Sequence, residues 1–244
     1  TGVSSIVSRL FGKEDIGQVQ RIATHAMMLA AILGIGVTIL GLTTIYPLFT
    51  LLGADETTLP LIEQYMSIYY FGGMVLVIPM IGNSVMRASG DAKTPAKIMS
   101  MAAILNILLD PILIFGWDVF GIPAMGLEGA AIATVMANIG TAMASVGIVV
   151  FRDHLIRLNV EDLNHLWAPW LVIMYIGIPS MTSSLIAPMT TAFITWQVSS
   201  FGQEAVAGFG IASRIEGLAM LCIMALSASI APFTGQNYGR GNYD

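Results

Sequence analysis

The carboxylate of this 244-residue chain best placed to do chemistry inside an apolar run is Asp110. Asp110 lies in the stretch 95–116, with Asn106 four residues before it and Pro111 directly after it. A spacing of four puts both side chains on one helical face. Proline has no backbone N–H, so the carbonyl one turn back, near Ile107, is left free to bind a proton or cation. A carboxylate, an amide oxygen and a freed carbonyl form an oxygen cage that suits Na⁺, or a protonatable site. If the run crosses a bilayer, an Asp at its centre costs about 2.5–3.5 kcal/mol or more and requires a reason. Two reasons fit: binding of a cation, or capping and pairing near the outer interface.

Other polar residues fall in similar surroundings. Arg214 and Glu216 are a charge pair inside a long apolar run. Two positions apart on a helix they point to different faces and cannot simply pair with each other. Each needs a partner elsewhere: a polar bridge to a neighbouring helix, or a central cavity in which Glu216 attracts cations. Asn83 and Thr134 read most simply as helix–helix hydrogen bonds of ordinary packing, each under about 1 kcal/mol. His25, His154 and His165 lack metal-ligand spacing, and the lone Cys222 cannot form an internal disulfide. No H-E-x-x-H, no G-x-S-x-G and no Walker A sequence occurs.

The elements that position these residues follow from composition. Hydrophobic residues make up 56% of the chain and charged residues 10%, against roughly 45–50% and about 25% in soluble domains. Mean hydropathy is +0.79. These values describe an integral membrane protein, and the net charge of −5 without a basic cluster excludes nucleic-acid binding. Crossing a hydrocarbon core takes roughly 20 apolar helical residues. Six such runs are present, at about 24–52, 60–86, 95–116, 127–151, 168–197 and 206–235, with residues 1–8 as the tail of a seventh helix. Period-2 alternation is absent, so the expected fold is an all-α polytopic bundle rather than a barrel. Pro79, Pro179 and Pro188 fall mid-span and are expected to kink their helices. Gly34-Ile35-Gly36, Gly72-Gly73 and Gly129-Ala130-Ala131 mark close helix packing. The sixteen Met residues read as lipid contact or core packing.

Nine of the ten Lys and Arg residues fall on one side of the six runs: Arg9, Lys13, Arg21, Arg87, Lys93, Lys97, Arg152, Arg157 and Arg240. The opposite loops, around Asp55/Glu56, Asp118 and Gln203/Glu204, carry none. The positive-inside rule then makes the basic side cytoplasmic. The polar stretch 152–167 is expected to form a short interfacial helix anchored by Trp167 and Trp170, linking a lobe at 1–151 to one at 168–244. The chain begins without Met or a basic signal region and is expected to be part of something longer. A weak internal repeat agrees: Phe11-Gly12-Lys13-Glu14-Asp15 resembles Tyr238-Gly239-Arg240-Gly241-Asn242 at an offset of 227 residues. Six spans lie between the copies, so the repeats would be parallel, in a protein of about twelve helices and two six-helix lobes.

Four motifs, in order along the whole chain, resemble the multidrug and toxic compound extrusion (MATE) family. They are Arg87-Ala88-Ser89-Gly90-Asp91 with Lys93-Thr94-Pro95, Leu105-Asn106-Ile107-Leu108-Leu109-Asp110-Pro111, Gly129-Ala130-Ala131-Ile132-Ala133-Thr134 and Gly235-Gln236-Asn237-Tyr238-Gly239. The resemblance implies that the chain runs from the end of helix 2 through helix 8 of twelve. It further implies an antiporter of the plasma (inner) membrane that exports amphipathic cations in exchange for H⁺ or Na⁺, with no other cofactor. Asp110, Asn106, Asn83 and Thr134 match four positions of the first-lobe coupling-ion site of the DinF-like branch. The helix-1 Asp of that branch is absent, as are the other helices that would be this chain's partners. The NorM-like branch has a Glu about eight residues after a proline on helix 7; here Pro179 is followed at that spacing by Ala187. A lipid-linked precursor flippase of the same superfamily and a membrane-embedded enzyme with its catalytic residues elsewhere are the alternative readings.

Overall fold

The computed structural model describes residues 2–51, 56, 58–117, 121–157 and 167–242. Among these residues eight α-helices follow one another: α1 Gly2–Gly12, α2 Ile16–Leu51, α3 Leu59–Phe71, α4 Gly73–Ala88, α5 Lys93–Phe115, α6 Gly126–Gly147, α7 Trp167–Ser199 and α8 Gln203–Arg240. Among the described residues five continuous helical stretches are long and apolar enough to cross a membrane, and α3 with α4, taken as one bent span, makes a sixth. The six runs expected from hydropathy are therefore six spans of an all-α membrane protein.

Local sequence explains the helix ends. Asp15 precedes α2, and its Oδ1 accepts the Gln18 N–H at 3.1 Å, satisfying one of the amides the first turn leaves open. Asp91 does the same for α5, accepting from Thr94 N at 3.0 Å and Thr94 Oγ1 at 2.6 Å. At the other end of α5, Gly116 takes φ +78°, where a methyl group would also meet Ala124 N at 2.7 Å. Trp117 and Ile122 then exchange backbone hydrogen bonds of 2.9 and 3.2 Å before α6 begins.

The second span differs from expectation. It bends by 46° between α3 and α4, at Gly72 rather than at Pro79, while α4 runs through Pro79 without interruption. The break coincides with a close approach of α6: a side chain on Gly72 would lie 2.7 Å from Val135 Cγ2. Likewise α7 continues through Pro179 and Pro188. The interfacial helix expected over 152–167 falls mostly outside the described residues. Residues 153–157 form an irregular strap along α2, held by Gln20 Nε2 donating to the His154 carbonyl at 2.8 Å and Arg157 N donating to Thr24 Oγ1 at 3.1 Å.

Packing is uneven. The buried core gathers Val7, Val19, Ala23, Val85, Met86 and Val149 from α1, α2, α4 and the wider-wound turn Ile148–Arg152 that follows α6. These residues lie toward the helix ends that carry the basic residues. That face is one surface: Gln236 of α8 reaches Ala88 of α4, and Arg152 reaches Asp91. Helix α6 packs against α3, α4 and α5, whereas α7 and α8 are exposed along most of their lengths. Cys222 is among the exposed positions of α8.

Candidate functional site

On α5, the Asn106 Nδ2 group donates to Asp110 Oδ1 at 3.3 Å. Both side chains are half-buried. Asp110 lies five residues before the end of α5, about 8 Å along the axis at 1.5 Å per residue. It is thus in the third of the helix farthest from the basic face. Pro111 continues the helix and cannot donate to the Ile107 carbonyl. A carboxylate, an amide and this backbone oxygen are therefore grouped within one turn.

Helix register decides which further residues share that level. Gly129 of α6 packs on the Leu113 carbonyl of α5, and Met125 N donates to the same oxygen at 2.9 Å. The helices run antiparallel, so the levels of Asn106 and Asp110 fall on α6 near residues 132–136, which include Thr134. The Thr134 hydroxyl donates to the Ala130 carbonyl at 3.0 Å, leaving its oxygen able to accept.

Asn83 is placed elsewhere. Helices α4 and α6 run parallel in a register set twice, by Gly72 against Val135 and by Gly82 against Ser145. The same register puts Asn83 level with Val146, about 18 Å along α6 from the level of Thr134. Asn83 is 5% exposed and Ser145 fully buried. Neither the Asn83 Oδ1 nor the Ser145 Oγ has a hydrogen-bond partner among the described residues. The structure therefore groups Asn106, Asp110 and the level of Thr134, and sets Asn83 apart, nearer the basic face.

Arg214 and Glu216 are exposed on α8, and neither makes an ion pair among the described residues. A polar contact that the sequence did not suggest is Gln64 Nε2 donating to Glu128 Oε1 at 2.6 Å, joining α3 to the first turn of α6. Its signal was faint, because both residues lie at span ends where polar side chains are ordinary. Of the expected close-packing glycines, Gly72, Gly73 and Gly129 do meet neighbouring helices, whereas Gly36 faces open space. No group of three His, Cys, Asp or Glu side chains able to hold a metal occurs among the described residues.

Between α1, α4 and α7 lies a cavity of about 370 Å³, lined by Gly2, Ile81, Ser84, Ile173, Gly177 and Ser180 among others.

A helical membrane protein with a single carboxylate and its amide partner in one span, and a cavity between packed helices, has the features of a transporter lobe. The MatE family model matches residues 1–112 and 179–244, and the chain belongs to that family. It is 38% identical over 240 residues to a FAD transporter of Shewanella oneidensis, covering 98% of this chain and 53% of that protein. It is 30% identical over 238 residues to the probable multidrug resistance protein YpnP of Bacillus subtilis, covering 98% and 52%. Among solved structures, it is similar to an outward-facing multidrug resistance MATE family transporter of the MOP superfamily, with a TM-score of 0.87 at 30% identity over 99% of this chain and 52% of that one. The chain spans about half the length of the curated relatives it matches.

Proposed function

We propose that this chain belongs to an ion-coupled antiporter that exports small amphipathic molecules by alternating access, with H⁺ or Na⁺ as the coupling ion. The observation that carries the reading is the Asn106–Asp110 pair beside a proline-freed carbonyl, because oxygen donors grouped in a span bind cations. Thr134 supplies a further oxygen at that level. Residues 1–151 form the first lobe, 152–167 the link and 168–244 the start of the second, with the basic face in the cytoplasm of a plasma-membrane protein. The test is export by the full-length protein in vesicles under an imposed pH or Na⁺ gradient. Export that ignores both gradients counts against ion coupling.

Amphipathic cations are the first substrate class, in keeping with Glu216 and with relatives named for probable multidrug resistance and for multidrug export. A second reading has its own observation: a relative at 38% identity is named a FAD transporter. Arg214, without an acidic partner among the described residues, suits a phosphate-bearing substrate. Competition decides between them. Excess flavin dinucleotide slows uptake of a cationic dye into inverted vesicles only if both use one path.

A further inference from the structure

Helices α1 and α8 cross at the basic face, and the residues that meet are the ones the internal repeat pairs. At the offset of 227, Ser8 corresponds to Gly235, Arg9 to Gln236 and Gly12 to Gly239. A methyl group on Gly12 would strike the Gln236 carbonyl, and one on Gly239 would strike the Arg9 carbonyl. Each methyl would also lie 2.9 Å from the Cα of the other glycine. Exchanging the two copies leaves the contact unchanged, as a two-fold axis requires. Small residues four apart, Ser8 with Gly12 and Gly235 with Gly239, let the two backbones approach this closely.

Two side-chain contacts surround the crossing. The Arg9 guanidinium lies 5.2 Å from the centre of the Tyr238 ring, and Gln236 Nε2 donates to the Ala88 carbonyl at 2.7 Å. The second joins α8 to the end of α4. The cavity between α1, α4 and α7 reaches Gly2, about 15 Å along α1 from Gly12. The crossing stands between that cavity and the basic face.

We propose that this crossing is a latch. It closes the cavity on the basic side, and it parts whenever the cavity opens there. The proposal rests on the alternating-access reading and names the contact that sets which side is open. Backbone packed on backbone cannot loosen by rotamer changes, so the latch is either seated or parted.

The test uses the full-length protein with its native cysteines replaced and Ser180→Cys as a reporter in the cavity. Labelling by a membrane-impermeant maleimide is measured from the basic side. Gly12→Val and Gly239→Val should each raise the rate at least about fivefold, the signature of a shifted population. Gly36→Val, on an open face, should leave it unchanged. Normal expression with the parent labelling rate in both latch variants overturns the proposal.

A second measurement does not depend on tolerance of valine. A Cβ on Gly235 would lie 2.9 Å from Ser8 Cβ, shorter than the roughly 3.5–4.5 Å a disulfide spans, so the helices need to separate by only about 1 Å for a bridge to form. Oxidising the Ser8→Cys/Gly235→Cys pair should suppress basic-side labelling and export, and reductant should restore both. Undiminished labelling of the crosslinked protein overturns the latch. Labelling needs neither gradient nor substrate, so the expected pattern without gradient-driven export supports the latch and counts against antiport.

Discussion

Arg152, beyond the end of α6, grips Asp91, ahead of α5, with Nη2 2.7 Å from Oδ2. Its Nη1 donates to Thr94 Oγ1 at 2.9 Å, and its Nε donates to Asp153 Oδ1 at 2.6 Å. One guanidinium thus ties the start of α5 to the end of α6.

The Asp91 carboxyl is held down at about 2, first by the Thr94 hydroxyl, then by the Thr94 N–H and Arg152. Its value in the unfolded chain is near 3.8, so this stabilisation is present above that pH and lost as pH falls through about 2. Thermal unfolding of the full-length protein should show Asp91→Asn less stable than the parent at pH 6, with the difference shrinking between about pH 4 and pH 2. Asp91→Ala, which also removes the cap, should cost about 1 kcal/mol. Arg152→Ala should cost less, because the pair is solvent-exposed.

At the proposed coupling site, Asp110→Asn in the full-length protein should abolish gradient-driven export while leaving insertion and substrate binding largely intact. Asn106→Ala should weaken export less, since one neutral ligand is lost. Near-normal export by the Asp110→Asn protein would assign Asp110 to interfacial pairing instead.

Helix contacts offer a stability comparison. Gly129 sits on the Leu113 backbone, where a methyl group would lie 2.5 Å from Leu113 C and 3.0 Å from Ile114 N. Gly129→Val should therefore destabilise the α5–α6 pair by about 2 kcal/mol or more. Gly36→Ala meets nothing within 4 Å and should be neutral or stabilising by up to about 1 kcal/mol. Thermal unfolding in detergent ranks the two.

Topology is open to labelling. Single cysteines at Gly90 and Asn242 should react from the cytoplasmic side, and those at Glu56 and Gly121 from the outside. The reverse pattern would invert the orientation.

The spans were legible because charges are rare and cluster between apolar runs, which fixes length and number. Asp110 stood out as a candidate for the same reason, since it is the one acid in its apolar run. Hydropathy could not show that the second span breaks at Gly72, because the residue that leaves no room for a side chain there, Val135, is on another helix. Nor could it separate Asn83 from Asp110. A helical pattern gives the face of a residue, whereas its level depends on register, here set by contacts such as Gly82 with Ser145. The repeat around Gly12 and Gly239 was faint as sequence and became meaningful only as a contact.

The winding at Ile148–Arg152 has a consequence for chain length. There the Asp153 N–H reaches back five residues to the Ile148 carbonyl at 3.0 Å, one residue more than an α-helical turn takes up. The wider winding fits one extra residue into nearly the same rotation and rise, so removing one residue of this segment would let the ordinary winding continue with Arg152 still facing Asp91. Substitutions at Val149 or Val150 would alter packing but keep that alignment. This segment therefore absorbs a change of count as well as changes of letter, and a single-codon deletion here should leave α5 tied to α6 through Arg152 and Asp91.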